Sequence, residues 1–161
     1  MTKPLLPLPA SFGEIRRARP ADTARICQMV RQLATHHGDT PTLTRDDLAR
    51  DLFGEKPWVS ILVAEMGDKL IGYAAMCGLI KLQFGARGMD VHHLFTEAEF
   101  RGRGVGQSLI EACKIEAIAR SCRYLAVGTH PDNHEAQAFY TSLGFERRDA
   151  HPPRFFTRLA T

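Results

Sequence analysis

No stretch of the sequence approaches about eighteen consecutive apolar residues, so it contains no candidate membrane span. From Met1 to Phe12 prolines alternate with leucines and build no signal-peptide core. Residues 1–13 read as a flexible or extended lead to one domain over 14–161, expected in the cytoplasm with no membrane partner. The four cysteines, Cys27, Cys77, Cys113 and Cys122, form no C-x-x-C pair and are too scattered for a disulfide framework, which leaves reduced thiols. Charge of one sign is also scarce. Lys and Arg number 21 against 18 Asp and Glu, with no long basic run. With neither a basic helix face nor an aromatic platform, nucleic acid is not an expected partner, whereas a small anionic ligand suits the slight positive excess.

Two familiar phosphate motifs are missing as well. There is no G-x-x-x-x-G-K-[ST], and G-x-G-x-x-G counted from Gly104 would need glycine where Leu109 stands. The histidines, His36, His37, His92, His93, His130, His134 and His151, match no common zinc spacing, so no metal is expected.

What is present is a readable succession of elements. Glu14 to Arg19 can form a strand, and Asp22 can cap a helix whose apolar face is Ile26, Val30, Leu33 and Ala34. Thr44 and Asp47 form a capping box for a second helix that ends near Phe53, before Gly54 and Pro57. Val59 to Glu65, Leu70 to Cys77 and Met89 to Thr96 read as successive antiparallel strands. Val105, Leu109, Ala112, Cys113 and Ala117 then mark one stripe of a helix. After a strand from Tyr124 to Gly128, Asp132 with Glu135 can cap a helix presenting Ala136, Phe139, Tyr140 and Leu143, closed by Gly144. Two short runs between Phe145 and Leu159 suggest a final antiparallel pair. This order predicts a mixed α/β sheet with helices on both faces.

The segment Arg101-Gly102-Arg103-Gly104-Val105-Gly106 lies between a strand and the start of a helix. A glycine-rich turn there exposes unpaired backbone N–H groups at the positive end of the helix dipole, an anion site suited to a diphosphate. Arg101, Gly104 and Gly106 resemble the R/Q-x-x-G-x-G/A signature of GNAT acetyltransferases. Asn133, Ala136, Phe139-Tyr140 and Leu143-Gly144-Phe145 resemble that family's later N-x-x-A-x-x-F-Y-x-x-L-G-F pattern. Leu43-Thr44, Asp47-Leu48, Phe53-Gly54-Glu55, Pro57 and Leu62 to Glu65 are similar to diamine (spermidine/spermine) N-acetyltransferases.

The resemblance implies the GNAT fold, a central and mostly antiparallel twisted sheet of about seven strands. It also implies a homodimer that transfers acetyl directly from acetyl-CoA to a primary amine of a small molecule. The alternatives are a protein N-terminus or lysine as acceptor, or a non-catalytic acyl-CoA-binding regulatory domain. Residues 101–106 and Gln107 would hold the diphosphate, and backbone groups of Leu94, Phe95 and Thr96 the pantetheine arm. Asn133, Ala136 and Tyr140 share one helix face toward the same ligand, and the Tyr140 phenol would protonate the leaving thiolate; without that motif it reads as a core aromatic.

An alkyl amine with a pKa of about 10.4 carries its lone pair in only about one molecule in a thousand at neutral pH, so a base is needed. Histidine suits that task. His92 stands where the resembling enzymes carry an acidic base, and strand alternation sends His92 and His93 to opposite faces. The other reading of His92 is a partly buried strand histidine satisfied by backbone. Those enzymes have Glu-Asp in place of His92-His93 and an acidic, tyrosine-containing segment in place of Thr35-His36-His37-Gly38. With His36, His37 and His92 as the substrate side, long polycations lose their carboxylate partners, and a monoamine or an amine bearing its own carboxylate is the better expected acceptor.

Overall fold

A computed structural model describes residues 5–149 and 153–160; part of the lead, His151 and the last residue lie outside. The described chain falls into two compact units, Met1–Gly128 and Thr129–Thr161. The first unit runs β1 (Leu8–Ala10), β2 (Gly13–Arg17), α1 (Thr23–His36), α2 (Arg45–Phe53), β3 (Ser60–Met66), β4 (Lys69–Lys81), β5 (Ala86–Thr96), α3 (Val105–Ala119) and β6 (Tyr124–Val127). The six strands form one sheet in chain order. Every neighbouring pair is antiparallel except β5 and β6, which are parallel with α3 as their crossover.

β3 shows why the sheet needs cover on both sides. Ile61, Leu62, Val63 and Ala64 are all buried, a continuous apolar run in place of alternation. Ile61 and Val63 join Tyr73 and Phe95 in a core with Ile26, Met29 and Leu33 of α1 and Leu48 of α2. Leu62 and Ala64 point the other way, where α3 packs. All five predicted stripe residues of α3 are buried.

Several sequence expectations change. The proline-rich lead contains β1, paired with β2 from Leu8↔Ile15 to Ala10↔Gly13. The hairpin of β4 and β5 reaches Lys81 and Ala86, past the predicted ends, and a Cβ at Gly88 would clash with the Tyr124 ring of β6. The expected tail pair is not formed: among the described residues after α4 there is no strand. Glu146, Arg147, Arg148 and Asp149 pair charges two residues apart and offer no apolar face to bury, and Phe155 and Phe156 are exposed. Asp22 does stand at the N-cap of α1, but its carboxylate makes no cap bond to the helix. It accepts instead from Arg16 and from the Arg19 amide. The Thr44–Asp47 capping box is formed as expected.

Candidate active site

β5 and β6 are in register only from Gly88↔Tyr124 to Val91↔Val127. β5 continues for the five residues His92–Thr96 with β4 on one side and, among the described residues, no strand on the other. Backbone groups of Leu94, Phe95 and Thr96 therefore border an opening at the C-terminal end of a parallel pair, a common place for ligands in α/β sheets. The chain leaves this edge through a short turn at Ala98–Phe100 and enters the loop that starts α3.

The loop leaves backbone amides open at the start of α3. Gly102 and Gly104 have φ of 76° and 79°, in the left-handed region that glycine adopts without strain. A Cβ at either would meet no atom within 4 Å, so the glycines serve this backbone course, not close packing. Gly104 is the N-cap of α3; it supplies no side-chain cap, and no acidic residue stands in the first turn. Its carbonyl accepts from Ser108, while the amides of Val105, Gly106 and Gln107 precede the first intrahelical bond. Arg101 and Arg103 are exposed beside them, Arg103 lying 5.5 Å over the Phe100 ring. Open amides, two guanidiniums and no carboxylate in the first turn of the helix fit a diphosphate.

His92 and His93 do not point apart. Ala75 pairs with His93 and Met76 with Val91, leaving His92 as the extra residue of a β-bulge. The bulge cancels one step of alternation, and the two rings stack with centroids 4.4 Å apart and planes at 13°. His92 is exposed and His93 half-buried. His93 Nδ1 lies 3.0 Å from the hydroxyl of Tyr73, a fully buried β4 residue. Burial pushes the His93 ring down to about 4, with the charges of His92 and His37 acting in the same direction. Burial also raises the Tyr73 phenol. Both groups are neutral at pH 7. His37 ends α1 with its ring 5.9 Å from that of His36.

Beside this edge lies an open cavity of about 620 Å³, walled by Gln28, Arg31, Gln32, Thr35 and His36 of α1 and by Phe95, Glu97 and Arg101 beyond it. The α1 residues follow helical spacing along one face. Glu97 is the one carboxylate among the described residues of this wall, and Arg25 holds it at 2.6 Å. Arg31, whose Nη1 donates to the Leu43 carbonyl at 2.8 Å, and Arg101 leave the wall cationic.

In the second unit α4 spans His134–Ser142. Its N-cap is Asn133, not the expected Asp132. Asn133 Oδ1 accepts from the Ala136 amide, because Asn133 is the residue immediately before the first helical position. Tyr140 is half-buried, its ring set edge-on to Phe139 at 5.2 Å and to Phe145 at 5.5 Å. Gly144, at φ 89°, follows the C-cap Leu143 as expected.

The profile of the acetyltransferase (GNAT) family matches residues 27–145. The chain belongs to that family. It is an N-acetyltransferase that uses acetyl-CoA as cosubstrate. It is 27% identical over 147 residues to a thialysine N-epsilon-acetyltransferase of Bos taurus, covering 83% of this chain and 84% of the relative. A spermidine/spermine N(1)-acetyltransferase-like protein 1 of Homo sapiens is 26% identical over 141 residues, covering 83% of this chain but 20% of that protein. An integron cassette protein from the mobile metagenome of V. cholerae has the same fold, with a TM-score of 0.74 at 25% identity over 89% of this chain and 92% of that one. An aminoglycoside acetyltransferase from an uncultured soil metagenomic sample superposes with a TM-score of 0.75 at 17% identity, covering 89% and 95%.

In this GNAT chain the structure gathers Leu94, Phe95, Thr96 and the 101–107 loop at one edge, with His92, His36 and His37 on the first unit beside it. Asn133, Ala136 and Tyr140 belong to the second unit. Sequence reasoning missed Tyr73, His93, Arg31 and the Arg25–Glu97 pair. A tyrosine inside an apolar strand was the one available signal for Tyr73; the bulge left none. Burial pushes Cys113 up to about 12 and raises Cys77, so neither of these two is a thiolate nucleophile at neutral pH.

Proposed function

We propose that this N-acetyltransferase acetylates the primary amine of a small molecule that also carries a carboxylate, and that long polyamines are poor acceptors. The observation that carries this reading is the cationic cavity wall. Its Glu97 is already paired with Arg25, while Arg31, Arg101 and the neighbouring histidines provide no anion for a second ammonium. The name of the bovine relative, a thialysine N-epsilon-acetyltransferase, supports an amino-acid-like acceptor.

In the proposed reaction the 101–107 loop binds the diphosphate of acetyl-CoA, and backbone groups of Leu94, Phe95 and Thr96 hold the pantetheine arm. His92, exposed on the bulge, takes the proton from the acceptor ammonium directly or through water. The amine nitrogen then attacks the thioester carbonyl with no acyl-enzyme. Tyr140 gives its proton to the departing thiolate, with Ala136 on the same helix and Asn133 at its N-cap. The protein works in the cytoplasm as a homodimer, for which the exposed Ile80, Leu82 and Phe84 at the end of the β4–β5 hairpin offer apolar surface.

The test is kcat/KM, followed by thiol release, for lysine against spermidine. We expect lysine to be favoured by about tenfold or more, the worth of one lost charge partner. A preference for spermidine would overturn the acceptor assignment.

A further inference from the structure

Tyr73 is the feature of this site that acid–base chemistry alone does not require. It is fully buried, its hydroxyl faces His93 Nδ1 at 3.0 Å, and its ring also lies 5.8 Å from that of Phe95. A buried hydroxyl left without an acceptor is costly, and burial keeps this phenol protonated. Tyr73 Oη–H therefore donates to Nδ1. A neutral imidazole has one N–H, so with Nδ1 accepting, the proton sits on Nε2. His93 consequently has no free lone pair for an ammonium proton, which separates its role from that of His92 stacked against it.

We propose that His93 is a specificity-determining residue of the acceptor site, held by Tyr73 as an Nε2–H donor that takes an oxygen of the acceptor's carboxylate and turns away a second ammonium. An ammonium has only donors and finds no partner on such a ring. His93 stands two residues before Phe95, which forms part of the cavity wall. The bulge stacks His93 against His92, and His37 at the end of α1 is close enough to act on it. Burial keeps the ring neutral, so the donor persists through the neutral range. This inference rests on the carboxylate-bearing acceptor proposed above and names the side chain that reads the carboxylate; Tyr73 acts through it as a positioning residue.

The experiment compares lysine with its decarboxylated counterpart, 1,5-diaminopentane, in the full chain and in H93Q, H93L and Y73F, together with imidazole ¹⁵N spectra at pH 7. Gln keeps a donor near the Nε2 position and Leu removes it. In the unaltered protein lysine should be preferred and His93 should show a protonated Nε2 and an unprotonated Nδ1. H93L should raise KM for lysine by about ten- to a hundredfold with kcat within about threefold, and bring the preference close to one. H93Q should restore most of the preference. Y73F should leave His93 in a mixture of tautomers and lower the preference part of the way. If the unaltered protein prefers the diamine, the acceptor reading falls and this inference with it. If lysine is preferred and H93L keeps that preference, or the spectra show Nδ1–H, the His93 assignment alone is overturned.

Discussion

Around Arg16 and Glu116 this protein buries charge and pairs it, whereas around His93 it keeps rings neutral at a half-open edge. Arg16 reaches Asp22 at 2.8 Å and Glu65 at 2.7 Å, with 7% of its side chain exposed. Glu116, 4% exposed, holds Arg17 at 2.8 Å and Arg120 at 2.9 Å. Desolvation would raise the Asp22 and Glu116 carboxyls, but their arginine partners outweigh it and hold both below the ordinary range. A cavity of about 290 Å³ lies beside Glu116, and the charges in its wall are Arg17, Glu116 and Arg120, all committed to one another. At the bulge no such compensation operates: burial and like charge both push the His93 ring down, and the fold answers with a neutral partner, Tyr73.

The two kinds of site should break differently. Tyr140→Phe should give the largest change, a fall in kcat on the order of 10² to 10⁴ if the phenol is the general acid. Its ring stays against Phe139 and Phe145, so CoA affinity should hold. Wild-type turnover would make Tyr140 a core aromatic only. Arg16→Ala should do the reverse, leaving Asp22 and Glu65 without their cation at a cost of about 3–5 kcal/mol, read as lost denaturant stability. The pH dependence has a definite sign. Asp22 is lowered on folding, so its contribution is complete above the unfolded value near 4 and is lost as pH falls through the lower folded value. Arg16→Ala should flatten that acid limb; an unchanged limb would remove Asp22 from the account. The smallest effect on the fold concerns His92→Ala, which should lower kcat with stability little changed. Wild-type turnover in that variant would assign the base elsewhere.

Legibility followed the same division. Glycines at 102, 104 and 106, the capping box at Thr44 and the stripe of α3 act through local backbone geometry, which the order of residues displays directly. The stacking of His92 on His93 depends on one residue of slippage against β4, and the pairing of Arg16 with Glu65 joins residues 49 positions apart. Strand alternation carries no sign of either. The tail misled for a related reason: its short runs have strand-like residues, yet Phe155 and Phe156 stay exposed.

The loop that opens α3 is the proposed acetyl-CoA site. Gly104 sits at φ 79° with no atom within 4 Å of a built Cβ, so valine there strains the backbone at the proposed diphosphate site while meeting no packed neighbour. The measurement is thermal unfolding of Gly104→Val with and without CoA. The predicted result is a largely intact apo transition that CoA no longer raises; protection equal to that of the unaltered protein would contradict the assignment of the acetyl-CoA site.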